Sequence, residues 1–263
     1  MSEQITVPTM AEYMAQGKKP EVLFWVGCAG SFDDRAKKIT KAFVKLLHNA
    51  KVDFAVLGTE EGCTGDPAKR AGNEFLFQMQ AMMNIEVLNG YEIKKVVTAC
   101  PHCFNTIANE YPGLGGNFEV MHHTQFLKAL MNEGRLKVEG GKFKGKRITF
   151  HDPCYLGRAN NEYEAPRELL QKLEVELTEM KRCKSRGLCC GAGGAQMFKE
   201  PEPGKRDVNI ERTDEALDTK PDVIAAGCPF CNTMLTDGVK NFNKEGDVAV
   251  MDVAEMIASA QDL

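Results

Sequence analysis

The 263-residue sequence lacks features that would place it in several other protein classes. It has no run of about 18 apolar residues, so a membrane-spanning helix is not expected. With 33 basic against 37 acidic residues the net charge is -4, which argues against a nucleic-acid binder. The stretch from Met1 to Thr6 has neither the basic nor the apolar segment of a secretory signal. We therefore expect a cytoplasmic protein.

Cysteine, in contrast, is abundant, with ten residues in the chain. The cytosol keeps thiols reduced, so metal binding or redox chemistry explains these residues better than structural disulfides do. Five of them form three groups in the second half of the chain: Cys154, the adjacent Cys189 and Cys190, and the motif that contains Cys228 and Cys231. This layout is typical of a metal site, and iron is the redox-active metal most often held by several thiolates.

A glycine-rich run follows the two adjacent cysteines. Neighbouring side chains diverge in helices and strands, so both sulfurs can serve one centre only from irregular backbone. Gly191, Gly193 and Gly194 permit such backbone, and the N–H groups of such a loop can surround an anionic cluster. We therefore predict that these glycines belong to a cofactor site. Because no Lys-Ser/Thr follows the run, a nucleotide phosphate loop is not indicated.

The first half of the chain repeats the cysteine pattern of the second. The equivalent pairs are Cys28 with Cys154 and Cys63 with Cys189, each at an offset of 126 residues, and Cys100 with Cys228 and Cys103 with Cys231, each at an offset of 128. A fixed offset of this kind indicates a duplication. The duplication is incomplete, because Thr64 stands at the position that matches Cys190.

Short apolar runs alternate with helical periods in both halves. The predicted strands are 21–26, 52–57, 95–99 and 118–121 in the first half, and 147–150, 175–177, 222–226 and 248–251 in the second. This order predicts an α/β protein of two repeated Rossmann-like lobes, with parallel sheets related by pseudo-twofold symmetry. Every cysteine group follows a predicted strand, so we expect the cysteines at the carboxyl edge of each sheet, where ligands gather in such folds.

The chain divides into three parts on this interpretation. Residues 1–20 form a polar arm, residues 21–141 the first cysteine-rich lobe, and residues 147–263 the second. The joint between the lobes is the polar, glycine-bearing stretch 142–146. Within the first lobe, Phe75, Met79, Met82 and Met83 form an apolar stripe at helical spacing. We interpret that stripe as core packing rather than as a cofactor site.

Each half contains a Cys-Pro-X-Cys motif that a helix is expected to follow. Proline suits the first helical turn, where free N–H groups favour the thiolate form of the second cysteine. A thioredoxin-like dithiol would explain each motif alone but would leave Cys28, Cys63 and Cys154 without a role. A structural zinc site also remains open, although zinc usually takes its ligands from two close pairs.

Other polar residues near the cysteines are harder to assign. Cys183 has no counterpart in the first half and is predicted not to be a ligand. It lies in the basic stretch 181–186, which would raise the potential of a cluster, dock an acidic partner or simply be solvated. His151 is a candidate hydrogen-bond donor to a ligand sulfur. No residue can be named as catalytic.

The second motif, Cys154…Cys189-Cys190-Gly191…Cys228-Pro229-Phe230-Cys231, resembles the cysteine-rich CCG domain. This domain occurs in heterodisulfide reductases, in iron–sulfur subunits of anaerobic glycerol-3-phosphate dehydrogenase and lactate-utilisation systems, and in membrane-associated iron–sulfur oxidoreductases. The resemblance implies that a noncubane [4Fe-4S] cluster is held by Cys154, Cys189, Cys190, Cys228 and Cys231. A second cluster with four thiolates would be held by Cys28, Cys63, Cys100 and Cys103.

The resemblance also implies an oxidoreductase role, as an iron–sulfur subunit that transfers electrons one at a time within a redox complex. The ferredoxin pattern C-x₂-C-x₂-C-x₃-C-P is absent, so a ferredoxin-like or flavoprotein partner is expected to supply the electrons. The acceptor would be a disulfide, a quinone or a membrane subunit, and any attachment to the inner membrane would come through a partner. Two alternatives stay open: disulfide cleavage at the second-half cluster, as in heterodisulfide reductase, and a zinc-stabilised scaffold or regulatory module.

Overall fold

The computed structural model describes residues 5–200 and 203–263. Two four-stranded parallel sheets, one in each half of the chain, define two lobes. The strands are β1 Val22–Trp25, β2 Phe54–Ala55, β3 Lys95–Thr98 and β4 Glu119–His122 in the first lobe, and β5 Arg147–Phe150, β6 Glu176–Leu177, β7 Val223–Ala226 and β8 Ala249–Asp252 in the second. The predicted α/β fold of two repeated lobes is confirmed.

Helices connect the strands and cover the sheets. They are α1 Met10–Ala15, α2 Gly27–Phe32, α3 Ala36–Asn49, α4 Asp66–Arg70, α5 Glu74–Gly90, α6 Pro101–Asn105, α7 His123–Asn132, α8 Glu164–Lys172, α9 Val208–Leu217, α10 Pro229–Asn241 and α11 Val253–Ala260. A π-helical turn covers Thr106–Glu110, and 3₁₀ turns cover Gly58–Glu60, Tyr111–Leu114, Gly141–Phe143, Lys184–Arg186 and Gln196–Phe198.

The two sheets have the same strand order, β2-β1-β3-β4 in the first lobe and β6-β5-β7-β8 in the second. All neighbouring strands are parallel, so each connection must cross over the sheet through a helix or loop. β1 and β7 are buried along their whole length, as expected for central strands covered on both faces. The edge strands β2 and β6 contain only two residues each, and β2 is shorter than the predicted 52–57 because it pairs on one side only.

The lobes share one hydrophobic core. Its largest cluster joins Phe24 and Phe43 of the first lobe to Phe150 and Ile257 of the second. Helices α3 and α11 pack against each other across this junction. Arg35, just before α3, places its Nη1 2.7 Å from Oε1 of Glu255 in α11. The carboxyl edges of the two sheets are therefore held in a fixed relation.

Helix α5 contradicts the interpretation of the methionine stripe as core. Its core-facing side consists of Phe77, Ala81, Asn84, Ile85 and Leu88. The predicted stripe lies on the opposite side and is exposed: Phe75 by 77%, Met79 by 46%, Met82 by 59% and Met83 by 64%. Helical spacing shows that a face is apolar but does not show which of two apolar faces the sheet covers.

Candidate metal centre

Each Cys-Pro-X-Cys motif lies where a central strand meets a helix. Cys100 is the N-cap of α6, directly beyond β3, and Cys228 is the N-cap of α10, directly beyond β7. Proline occupies the first helical position in both cases, so Cys103 and Cys231 lie in the first helical turn. These four cysteines are buried. Free N–H groups at a helix N-terminus stabilise negative charge on a nearby sulfur.

The adjacent cysteines lie in irregular backbone, as the sequence predicts. Residues 187–190 have no regular secondary structure, and Gly191 has a φ of +90°. The Gly191 N–H donates to Cys189 Sγ at 3.3 Å. The first lobe has the same turn, in which Gly65 (φ +89°) donates its N–H to Cys63 Sγ at 3.5 Å. A side chain other than hydrogen is strained at these dihedral angles, which explains glycine at both positions.

The five cysteines of the second motif form one contact network. Cys190 Sγ lies 3.2 Å from Cys231 Sγ, and Cys231 contacts Cys228. Cys189 accepts hydrogen bonds from the side chains of Cys154 and Cys190, which lower the pKa of its thiol well below the usual 9.0. The network favours a thiolate at Cys189 and keeps its neighbours protonated while no cation is present, since hydrogen bonding to Cys189 raises the pKa of Cys154.

The first lobe brings its four cysteines together in a similar way. Cys28 hydrogen bonds to Cys63 and lowers the pKa of Cys63 to about 6, while Cys100 contacts Cys103. Thr64 is buried at the position equivalent to Cys190, and its hydroxyl lies 4.0 Å from Cys103 Sγ. The hydroxyl therefore occupies the place of the missing thiol.

The two sets of cysteines meet at the junction of the lobes. The Cys100 side chain is hydrogen bonded to Cys228 as well as to its own partner in α6. Beside this contact the ring of His102 packs on Tyr155 at 4.6 Å and on Phe230 at 5.3 Å between centroids. His102 Nδ1 also lies 3.0 Å from Oδ2 of Asp66. Sequence spacing predicted two separate edges, whereas the structure shows that they adjoin.

The predicted glycines are distributed along the loop that follows Cys190. Gly191 contributes the N–H described above, and Gly193 lies against His102 and Tyr155 at the junction. Gly194 adopts a φ of +68°. Contact with a sulfur is therefore seen for Gly191 alone among the three, within the part of the chain that the structure describes.

His151 is the buried donor that best fits a sulfur acceptor. Its Nδ1 accepts a hydrogen bond from Arg212 Nε at 2.9 Å, so the neutral ring carries its hydrogen on Nε2. Nε2 is buried and has no hydrogen-bond partner among residues 5–200 and 203–263. A ring nitrogen lies within 4.8 Å of the sulfurs of Cys190 and Cys231. Burial lowers the pKa of His151 to about 3, so the ring is neutral at physiological pH.

The basic stretch before the adjacent cysteines is largely paired. Arg182 forms ion pairs with Glu211 and Glu215, and Lys184 with Glu164. These contacts disfavour the option that the stretch is an unpaired docking surface. Cys183 is half-buried, and the charged groups near it are carboxylates and guanidinium groups rather than other thiols.

The donor set fits an iron–sulfur cluster or another thiolate-bound metal. All ten cysteines lie in the described ranges and are free thiols. Thiolates packed as closely as Cys190 and Cys231 repel each other, so they cannot ionise together without a cationic core. The loop N–H of Gly191 and the unpartnered Nε2 of His151 are donors that bound sulfur would accept.

The chain matches the family model described as "Cysteine-rich domain" (CCG) twice, over residues 22–108 and 148–236. It belongs to the CCG cysteine-rich domain family. The two matches coincide with the two lobes and contain every cysteine of the two sulfur networks. The half-buried Cys183 also falls inside the second match but does not join a network.

Relatives of this CCG protein include iron–sulfur oxidoreductases. It is 47% identical to the probable iron-sulfur-binding oxidoreductase FadF of Bacillus subtilis over 97% of this chain and 36% of that protein. It is 44% identical to the EtfAB:quinone oxidoreductase of Syntrophomonas wolfei, over 94% of this chain and 35% of that protein. The dihydromethanophenazine:CoB–CoM heterodisulfide reductase of Methanosarcina barkeri contains one polypeptide that is 34% identical, over 93% of this chain and 60% of that polypeptide.

The CCG chain thus spans only about a third of the length of the first two relatives. Family membership and the cysteine clusters support iron–sulfur binding, in agreement with the expectation of an iron–sulfur redox protein. Across residues 5–200 and 203–263, no helix has the length and apolarity needed to cross a bilayer.

Two residues near the CCG centre are not predicted by any sequence pattern described above. Glu61 accepts hydrogen bonds from the N–H groups of Val26 and Gly27, at 2.9 and 2.6 Å, and so fixes the loop that carries Cys28. Burial raises the pKa of Glu61 to about 7. Arg212 is fully buried behind His151. A carboxylate two residues from a cysteine was a usable signal for Glu61, but no local pattern marks a buried arginine.

Proposed function

We propose that this chain binds an iron–sulfur cluster at the carboxyl edge of each lobe and passes electrons one at a time within a larger redox complex. The second-lobe cluster, a noncubane [4Fe-4S] centre, would be held by Cys154, Cys189, Cys190, Cys228 and Cys231. The first-lobe cluster, a four-thiolate centre, would be held by Cys28, Cys63, Cys100 and Cys103. When bound, such clusters accept and release single electrons.

The contact between Cys100 and Cys228 is the observation that carries this proposal. It joins the two sets of thiols through adjacent sulfurs, so redox centres held by them would be close neighbours. Cys100, Cys103, Cys228 and Cys231 are buried, and the shared core fixes the two lobes relative to each other. This arrangement suits a relay, in which electrons enter at one lobe and leave at the other.

The surrounding residues have separable tasks in the proposed relay. The Gly65 and Gly191 N–H groups donate to sulfur and stabilise negative charge there. His151 holds its proton on Nε2 because Arg212 occupies Nδ1, which directs a neutral donor toward the second set of sulfurs. Phe230 and Tyr155 pack around the junction and limit the access of water.

The partner supplying electrons would be a flavoprotein or a ferredoxin-like protein, and the acceptor a disulfide, a quinone or a membrane subunit. Support comes from the relatives' names, one of which denotes an EtfAB:quinone oxidoreductase and another a probable membrane-anchored ferredoxin. We place the protein in the cytoplasm, with any membrane attachment made through a partner.

Replacing Cys189 by Ser tests the proposal, with Cys183→Ser as the matched control. In protein purified without oxygen, Cys189→Ser is expected to remove about half of the iron and acid-labile sulfide, since one of two clusters loses a ligand. Cys183→Ser should leave both contents unchanged because Cys183 is outside the sulfur network. Wild-type protein that contains zinc and no labile sulfide would contradict the proposal and leave the zinc-stabilised scaffold.

Reductive cleavage of a disulfide at the second lobe is a second candidate. An open cleft of about 440 Å³ adjoins Gly191 and is lined by Met234, Asn209 and charged side chains of both signs. The cleavage consumes two electrons, which the redox partner would supply, and two protons from water. Steady-state reduction of a small-molecule disulfide by chemically reduced protein, lost in Cys189→Ser, would favour this candidate. Electron transfer to a quinone without disulfide reduction would favour the relay.

A further inference from the structure

Helix α5, Glu74–Gly90, is apolar on two opposite faces. Its inner face packs on the first lobe, where Phe77 lies against Gly65 and Ile85 lies against Gly116. A helix that is apolar all round is normally covered all round. In this chain the outer face has no cover from residues 5–200 or 203–263.

The outer face carries five large apolar side chains, which we call the α5 stripe. Their exposed fractions are 77% for Phe75, 36% for Leu76, 46% for Met79, 59% for Met82 and 64% for Met83. Side chains of this size and exposure present on the order of 500 Å² of apolar surface, near the upper limit for a single patch on a monomer. An exposed patch of that extent marks an interaction surface.

Charge narrows the range of occupants. Helix α5 contains no Lys, Arg or His between residues 74 and 90. An amphipathic helix that lies on an anionic membrane carries Lys and Arg on its polar face, so a lipid surface is disfavoured. An acidic protein would likewise need cations to steer and hold it, and the helix offers none. A neutral apolar surface of similar shape is the fitting occupant.

The α5 stripe is symmetric about Met79. Phe75 and Leu76 lie four and three residues before it, and Met83 and Met82 lie four and three residues after it. A twofold axis through Met79 therefore places Phe75 against Met83 of a second helix and Leu76 against Met82. Such reciprocal contacts define an isologous interface, and contacts of methionine sulfur with an aromatic ring are favourable.

We propose that the chain forms a twofold dimer in which the α5 stripes of two copies pack antiparallel with Met79 at the axis. In this register Glu74 lies opposite Asn84 and Gln78 opposite Gln80, so no carboxylates face each other. Glu86 falls beyond the start of the partner helix, at the rim. A standard interface buries about 800 Å² on each partner, of which the stripe supplies more than half.

Sedimentation velocity of the wild-type chain and of Met79→Glu tests the dimer. The wild type is expected to sediment with the mass of two 29.1-kDa chains at micromolar concentration. Met79→Glu places two carboxylates at the axis and should raise the dissociation constant by about 100-fold or more. Met79→Lys should do the same, and an equal mixture of the two variants should recover a dimer through the paired opposite charges.

Met14→Glu is the matched control, because Met14 is 56% exposed but lies on α1, outside the stripe. It should leave the dimer intact. Iron and sulfide contents measured on the same samples separate this inference from the proposed function, since an iron-loaded monomer would overturn the dimer alone. A wild-type monomer, a dimer insensitive to Met79→Glu, or a monomer that binds vesicles containing anionic lipid would each overturn the inference. Circular dichroism verifies that each variant is folded.

Discussion

The two lobes share a backbone and differ in one sulfur. Cys190 and Thr64 are both buried, and both point at the last cysteine of their own lobe, at 3.2 Å for Cys190 Sγ to Cys231 Sγ and 4.0 Å for Thr64 Oγ1 to Cys103 Sγ. The glycine that follows has a φ near +90° in each case. A duplicated fold can therefore keep the geometry of a site while changing the chemistry of one of its donors.

The lobes also differ in what holds the loop after the first strand. In the second lobe Asp152 is buried and accepts two hydrogen bonds from Arg167, at 2.7 and 3.0 Å. Val26 stands at the matching position of the first lobe, where Glu61 instead binds two backbone N–H groups. The complete cysteine motif is thus supported by a buried ion pair, and the incomplete motif by a single carboxylate.

Breaking the ion pair is expected to give the largest change in stability. Arg167→Met leaves the buried carboxylate of Asp152 without its cation, which should lower the free energy of unfolding by about 3–5 kcal/mol. Chemical denaturation of anaerobic protein measures this loss. The double variant Arg167→Met with Asp152→Asn removes the unpaired charge and should recover part of the loss.

Lys144→Met is the control for this experiment, since Lys144 and Glu174 form an exposed ion pair. It should cost less than about 1 kcal/mol, as exposed pairs usually do. Equal losses in Arg167→Met and Lys144→Met would show that the second-lobe loop does not depend on the buried pair.

The last strands end at different capping residues, His122 in the first lobe and Asp252 in the second. His123 links them, with its Nδ1 3.1 Å from His122 Nε2 and its Nε2 2.8 Å from Asp252 Oδ1. Burial, reinforced by the neighbouring His123 ring, lowers the pKa of His122 well below 6.5. Below that pH the unfolded chain binds a proton that the folded chain does not, so folding weakens as the pH falls.

His122→Gln should therefore flatten the acid side of the stability curve. The wild type is expected to lose about 1.4 kcal/mol more than the variant for each pH unit below 6.5. Denaturation at pH 8, where this histidine is neutral in both states, isolates the contacts that the substitution removes. Parallel stability curves between pH 8 and pH 5 would contradict the assignment.

Restoring the missing thiol is expected to have the smallest effect on stability. Thr64→Cys replaces a buried side chain by one of similar size, so the unfolding free energy should change by less than about 1.5 kcal/mol. The electron paramagnetic resonance spectrum of the first-lobe centre should nevertheless shift toward that of the second lobe. An unchanged spectrum would show that the residue after Cys63 does not contact the cluster.

The sequence predicts much of this fold because each central strand is a short buried run that a turn or cysteine ends, as in Val22–Trp25 and Val223–Ala226. The fixed offset between cysteines predicts the repeat. Neither pattern contains the distance between lobes, so the contact of Cys100 with Cys228 could not be foreseen. It depends on how the shared core orients the two sheets.

The misinterpreted stripe on α5 has a different cause. Both faces of that helix are apolar, and the sheet can cover only one of them. The choice depends on tertiary packing around Phe77, which local periodicity does not contain. The buried Arg212 is a similar case, because its partners His151 and Glu215 lie at unrelated distances along the chain.

Mössbauer spectroscopy of ⁵⁷Fe-enriched protein, purified without oxygen, tests most directly whether each lobe holds its own iron centre. We expect two spectral components of about equal area, as two clusters of equal iron content would give. Cys189→Ser should remove one component and Cys63→Ser the other. A single component abolished by either substitution, or the absence of iron, would contradict the account.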